Sequence, residues 1–362
     1  MDLKIDETIE LDEKPKKVSK TSTLAKYWVS IAIIVSATIA AAVLINLLTD
    51  LDFVQPISVV VRRPKPPVYY AKLSGIQVEN QTQVNAPVTA IMIENSPAAR
   101  PQSGLAAAEV VFEAIAEGGI TRFLAIYQAN RPQLIGPVRS VRPYYVSWVA
   151  PFNASVAHVG GSSKALAEIR NGKYRDIDQF FNGGSYWRSK DRIAPHNVYT
   201  NFERLNALNI AKGYTSSNPQ MFARQEAKAA QVVTATKIDF KISSATYNSS
   251  YLYNQETNNY TRWQAGRPHL DREAGEIKVD AVIGLVVNET KILEDGWREN
   301  IETIGSNKAY IFQNGTITEA TWKKADQFSQ IHFYDTEGKE IAINRGKVWI
   351  SAVSNSNGVT WQ

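Results

Sequence analysis

Three observations predict an α+β protein held at a membrane. A 23-residue stretch near the N-terminus carries no charge, strand-like and helix-like runs alternate through the middle of the chain, and short β-type runs dominate the C-terminal part. The expected architecture is an N-terminal transmembrane helix, a mixed α/β first domain and a mainly-β second domain. The 362 residues contain no cysteine, which removes disulfides, thiolate metal sites, a cysteine nucleophile and a lipidated cysteine. A net charge of +5, with both signs interspersed, forms no nucleic-acid-binding stripe.

Residues 1–26 balance six acids against six lysines with few large apolar side chains, the composition of a disordered tail. From Tyr27 to Thr49 there is no charged residue. At about 1.5 Å per residue a helix of this length reaches roughly 35 Å, more than the ~30 Å hydrocarbon core. Lys14, Lys16, Lys17, Lys20 and Lys26 precede the span and Asp50 and Asp52 follow it, so the tail is expected in the cytoplasm and the body outside. The run is longer than a signal-peptide core, and no small-x-small cleavage site follows promptly. Exported and without cysteine, the body suits a bacterial cell surface. Residues 50–67 form a linker ending in the stiff, basic Arg62–Pro67 spacer.

The first domain is expected over 68–225. Val88–Ile93 reads as a buried strand. Glu109–Ala116 and Ile120–Gln128 alternate and meet at Gly118-Gly119, a hairpin. Val111, Glu113 and Ile115 share one face of the first arm, so Glu113 interrupts an apolar face and needs a partner. Glu117 and Arg122 flank the turn and suit a cross-strand ion pair. By strand parity Glu117 shares the face of Glu113, about 13 Å away at ~3.3 Å per residue.

The densest chemistry lies in Ile135–Ser162. Pro143 disfavours helix at Arg142 and suits the first position of a helix that Pro151 stops. Arg139, Ser140 and Arg142 therefore feed a helix start. Ala154–Val159 reads as a short buried strand that delivers His158 to the Gly160-Gly161-Ser162 turn, where Ser162 caps a helix over 163–170. Pro195 presents His196 and Asn197 in a loop or at a strand start. Asn201–Lys212 reads as an amphipathic helix ended by Gly213. These placements nominate Glu113, Arg122, Arg139, Arg142, His158, Ser162, His196 and Asn197 as the lining of one anion-binding cleft. The alternative is that these groups only satisfy one another, with Glu113 buried against an arginine.

Residues 214–230 are polar and mark the expected boundary. The second domain, 226–362, carries β-type runs at 238–242, 245–253, 259–263, 281–287, 309–312, 330–334 and 347–353. His269 and His332 read as structural. Tyr186, Trp187 and Trp263 could stack on sugar rings or pack in the core. No phosphate loop, dinucleotide fingerprint, zinc-protease or nucleophile-elbow motif occurs, and no metal or other cofactor is expected.

The segments GLAAAEVVFEAIAEGGITRFLAIY, IGPVRSVRPYYV, VAHVGGS and APHNVY, followed by YTRWQAGRPHLD, VVNETKILEDGW and GKVWISAV, are similar in order to the YerB-like family of bacterial extracytoplasmic lipoproteins. The likeness covers about residues 70–362. It implies a membrane-tethered, surface-facing protein with a two-part domain of unknown function, and it implies no reaction. The anchor departs from the family pattern, since a transmembrane helix stands in place of a lipidated cysteine.

Two functions follow as expectations. One is a ligand-binding or scaffold module of the cell envelope, with a cleft for a cell-wall glycan or another anionic ligand, or for envelope proteins. The other is an enzyme acting on wall glycan through Glu113 or Glu117 with His158 or His196. Binding ranks higher, because the spacing of the two glutamates is too wide for a retaining carboxylate pair and strained for an inverting one. Protease added to intact cells should remove the body and leave a small membrane-bound N-terminal fragment; full protection of the body would mean the opposite orientation.

Overall fold

The computed structural model describes residues 21–49, 67–291 and 298–362; most of the expected tail and linker, and residues 292–297 of one family-like segment, lie outside the described residues. The chain divides into two compact units, Met1–Pro66 and Pro67–Gln362. In the first, helix α1 (Thr21–Thr49) begins six residues before the expected span. From Tyr27 onward its side chains are exposed. The hydroxyls of Ser36, Thr38 and Thr49 donate to carbonyls three or four residues back, so these polar groups are satisfied within the helix, as a hydrocarbon surround requires.

The second unit is built on one ten-stranded sheet. Its first strands are β1 (Thr89–Glu94), β2 (Val110–Glu117) and β3 (Ile120–Tyr127). Helix α2 (Pro143–Val149), β4 (Ser155–His158), α3 (Ser163–Ile169), β5 (Arg175–Asp178) and α4 (Phe202–Ala211) follow. Next come β6 (Lys237–Phe240), β7 (Ser249–Asn254), β8 (Asn259–Gln264) and β9 (Ala281–Val286). The last are β10 (Gly305–Gln313), β11 (Thr316–Lys324), β12 (His332–Tyr334), β13 (Val348–Val353) and β14 (Val359–Trp361).

The large sheet runs β12-β11-β10-β9-β13-β2-β3-β1-β4-β5, and β6, β7, β8 and β14 belong to a second, six-stranded sheet. The two halves of the body thus share the large sheet. They meet where β13 lies parallel to β2, with Val348 opposite Val110 and Ser351 opposite Glu113. Strand β9 also runs parallel to β13, whereas β2–β3 and β3–β1 are antiparallel, giving a mixed α+β architecture.

Strand parity assigns the two faces. Ala90, Met92, Val110, Phe112, Leu124, Ile126 and Ile350 pack with Tyr145, Trp148 and Phe152 of the α2 region. Ile91, Ile93, Val111, Phe123, Tyr127 and Trp349 pack with Phe202 of α4 and with Ile238, Phe240 and Tyr251 of the second sheet. Three layers result, with the large sheet in the middle. Gly284 lets the second sheet close on it, because a Cβ there would stand 2.9 Å from Phe240 and 3.0 Å from Val359. The proposed division near 214–230 then separates two stretches of sequence that build one sheet. A cut within that segment should leave the fragments associated and unfolding in one transition, read by size exclusion and calorimetry; fragments that separate would make the halves independent domains.

Candidate functional site

The partner that Glu113 needs is Arg262 on β8. Its Nη2 stands 2.6 Å from Glu113 Oε2, and both side chains are fully buried. Trp349 Nε1 donates to the same oxygen at 3.1 Å, and the guanidinium lies over the Trp349 ring at 4.2 Å. The pair belongs to a closed ring of side chains. Thr121 Oγ1 donates to Glu113 Oε1 at 3.2 Å and accepts from Asn95 Nδ2 at 2.7 Å. Gln102 Nε2 donates to Asn95 Oδ1 at 3.0 Å, and Gln102 Oε1 meets His269 Nε2 at 2.9 Å. His269 Nδ1 lies 3.1 Å from Arg262 Nη1, which closes the circuit.

The network assigns the tautomer of His269, since Arg262 can only donate and Gln102 Oε1 can only accept. Nδ1 is the acceptor and Nε2 carries the proton. Burial pushes this imidazole well below its ordinary 6.5, and the guanidinium groups of Arg262 and Arg100 add to the effect.

The other nominated residues enter separate partnerships. Arg122 is buried, with Nη1 donating to the Ser140 carbonyl at 3.0 Å and Nη2 pairing with Glu117 Oε1 at 2.8 Å. Arg142 pairs with the other Glu117 oxygen, and its Nη1 donates to the Val141 carbonyl at 2.7 Å. Arg142 is 6% exposed, which corrects its expected place in the lining of an open anion-binding cleft. Removing one partner of such a pair costs about 3–5 kcal/mol. A register shift between Ile115 and Glu117 brings Glu117 opposite Ile120, and its side chain reaches Arg122, the cross-strand partner of Ala114. Ala114 lies on the helix-covered face and Phe123, opposite Glu113, on the other. The bulge therefore overturns the same-face expectation, and the glutamates stand on opposite sides of the sheet.

His158 is fully buried at the end of β4. Its Nδ1 lies 2.8 Å from the Gly160 carbonyl and its Nε2 2.9 Å from Asp176 Oδ1. Both nitrogens are committed, so His158 is a structural tie and not a cleft residue. Ser162 caps α3, accepting from Ala165 N at 3.4 Å. Asn197 accepts from Arg188 Nη1 at 2.8 Å and donates to the Ser189 carbonyl at 3.2 Å. The eight residues do not meet in one cleft, because their polar groups find partners inside the fold.

Two of them, Arg139 and His196, converge on Glu94, a residue the sequence reading passed over. Arg139 Nε is 3.4 Å from Glu94 Oε1 and His196 Nδ1 is 3.0 Å from Oε2. Ser96 Oγ donates to Oε1 at 3.1 Å. With the carboxylate on Nδ1, the His196 ring keeps Nε2 as its remaining polar atom. The ring borders a cleft of about 430 Å³ lined also by Asp191, Arg192 and Arg272.

A second cleft, about 460 Å³, lies between the 95–103 loop and the end of β8. Arg100, Gln264, Arg267 and His269 supply its polar groups, and Pro101, Ala265, Pro268 and Leu270 its apolar wall. Arg100 donates from Nε to Asn95 Oδ1 at 3.0 Å and from Nη2 to the Asn95 carbonyl at 2.9 Å. Among the described residues no carboxylate forms an ion pair with Arg100 or Arg267. Burial lowers the pKa of Arg100, the sign of a cation short of solvation.

Parity could have found Arg262 and Gln264. In NYTRWQ, Tyr260, Arg262 and Gln264 occupy the buried positions, so this strand too carries charge on its core face. Of the candidate sugar-stacking aromatics, Tyr186 is buried and Trp187 lies under the Arg204 guanidinium at 4.9 Å.

A mixed three-layer body together with an apolar N-terminal helix of membrane-spanning length defines the class. The chain belongs to the family of proteins of unknown function DUF3048, whose N-terminal domain matches residues 73–215 and whose C-terminal domain matches 238–350. It is 33% identical over 288 residues to YerB of Bacillus subtilis (strain 168), whose name provisionally makes it a lipoprotein; the match covers 78% of this chain and 86% of that protein. The crystal structure of Bacillus subtilis YerB superposes with a TM-score of 0.73 at 29% identity, over 81% of this chain and 99% of that one.

The neutral His269 predicts a pH dependence. Its folded pKa lies below the unfolded value near 6.5, so its contribution to stability is complete above that pH. Stability then falls as pH drops below about 6.5, with a slope of up to ~1.4 kcal/mol per pH unit. Urea unfolding between pH 7.5 and 5 should show this slope, and His269→Gln should flatten it; an identical slope in both chains would remove His269 as its cause.

Proposed function

We propose that the chain is a single-pass membrane protein with its N-terminus in the cytoplasm and its body outside. The body acts as a ligand-binding module of the cell envelope that takes an anionic ligand, wall glycan or peptide among them, in the cleft at Arg100 and Arg267. The observation that carries this reading is Arg100. It is a half-buried cation without a carboxylate partner among the described residues, held by Asn95 against a buried hydrogen-bond network and bordering an open cleft. A ligand carboxylate or phosphate would supply the missing counter-charge.

Binding ranks above glycan cleavage. Glu113 and Glu117 stand on opposite sides of the sheet, each occupied by arginine, and His158 is closed off. Hydrogen bonds to charged groups contribute about 1.5–3 kcal/mol. Arg100→Ala and Arg267→Glu should therefore each weaken binding of anionic wall fragments to the full chain in detergent at least tenfold, and Arg267→Glu should leave Tm unchanged. Titration calorimetry with unaltered affinity in both variants would sink this reading.

A further inference from the structure

We propose that the ligand of the Arg100 cleft carries an amide beside its anion: an acetamido sugar acid, or an N-acylated peptide ending in a free carboxylate. The inference rests on the anionic-ligand reading above and adds the amide to it. It comes from Gln264, the last residue of β8. Gln264 is 5% exposed, and among the described residues neither Oε1 nor Nε2 of its side chain has a hydrogen-bond partner. A buried primary amide with both ends unmade is an expensive feature in a fold. Ser249 Oγ, on the residue opposite Gln264 in β7, and Arg262 Nε share the deficit, whereas the Asn95 and Gln102 amides of the 95–103 loop are bonded.

The cleft wall says which partner suits it. Gln264 borders the cavity together with Arg100 and Arg267, and its neighbours there include Ala265, Pro268 and Leu270. A carboxylate alone would accept from Nε2 and leave Oε1 without a donor. An amide N–H supplies that donor, an amide carbonyl can take Nε2, and the acyl carbon chain lies against the apolar wall. Sugar hydroxyls could make the same bonds, but their remaining polar sites would face proline, alanine and leucine. The anion then falls to Arg100 and Arg267. A volume of about 460 Å³ accommodates a ligand of this size.

The test is calorimetric titration of the full chain in detergent with N-acetylmuramic acid and with N-acetyl-alanyl-alanine. Each is run beside an analogue in which an ester oxygen replaces the amide N–H. An amide probe should bind at least tenfold tighter than its ester. Gln264→Leu should shrink that preference to about twofold while keeping Tm at or above the parent value, because it removes an unpaired buried amide. Preference for the sugar acid alone would assign a glycan source, and preference for the dipeptide alone a peptide source. Equal affinity for amide and ester, or an amide preference that survives Gln264→Leu, overturns the inference while Arg100-dependent binding leaves the anionic reading standing. A Gln264→Leu chain of lowered Tm assigns the amide to the fold and overturns it as well. Failure of all probes to bind in an Arg100-dependent way overturns both.

Discussion

The buried ion pair between Glu113 and Arg262 is the constraint on which the body depends. It joins the large sheet to the sheet packed on it, across 149 residues of sequence. Two fully buried charges are tolerable only with their remaining hydrogen-bonding capacity met. Thr121, Trp349 and His269 meet most of it, and Asn95 and Gln102 complete the ring. Such a network favours one relative placement of the two sheets, because a shifted sheet would leave charges unpaired in a low-dielectric interior.

That constraint reaches the surface through the 95–103 loop. Asn95 and Gln102 belong to the ring, and Arg100 is held by Asn95 on the other side of the same loop. The cleft floor is therefore rigid where the polar network lies and apolar where Pro268 and Leu270 lie. A cation presented from such a support has already lost much of its conformational freedom, so less is lost on binding.

On the opposite face of the large sheet the arginines have another role. Arg122 and Arg142 share Glu117, and Tyr145 beside them donates to the Arg122 carbonyl at 2.6 Å and accepts from Ala114 N at 3.1 Å. Together these contacts fasten the start of α2 to the β2–β3 hairpin. The density of charge here suggested the lining of an anion-binding cleft, but Arg122 and Arg142 are paired within the fold. Arg100 and Gln264, which border the cleft at β8, sit in a proline-containing loop and at the end of a strand, the latter within the YTRWQAGRPHLD segment.

Local chemistry was enough to read much of the architecture. Pro143 and Ser162 start their helices where expected, the Gly118-Gly119 hairpin forms, and the β-type runs after residue 236 become strands, because each depends on backbone preference and near-neighbour periodicity. The same parity showed that Glu113 required a partner. Which partner it took, and that β13 would join β2 so that both halves share one sheet, depended on contacts more than a hundred residues apart. The bulge that turns Glu117 away from Glu113 also lay beyond periodicity, since one extra residue in an arm reverses every later side chain. Sequence alone therefore determined the apolar N-terminal helix, most of the other elements and the need for a buried counter-charge. Only the tertiary structure decided which polar groups neutralise one another and which stay without a counter-charge, because burial and charge pairing are properties of the packed interior and not of any segment.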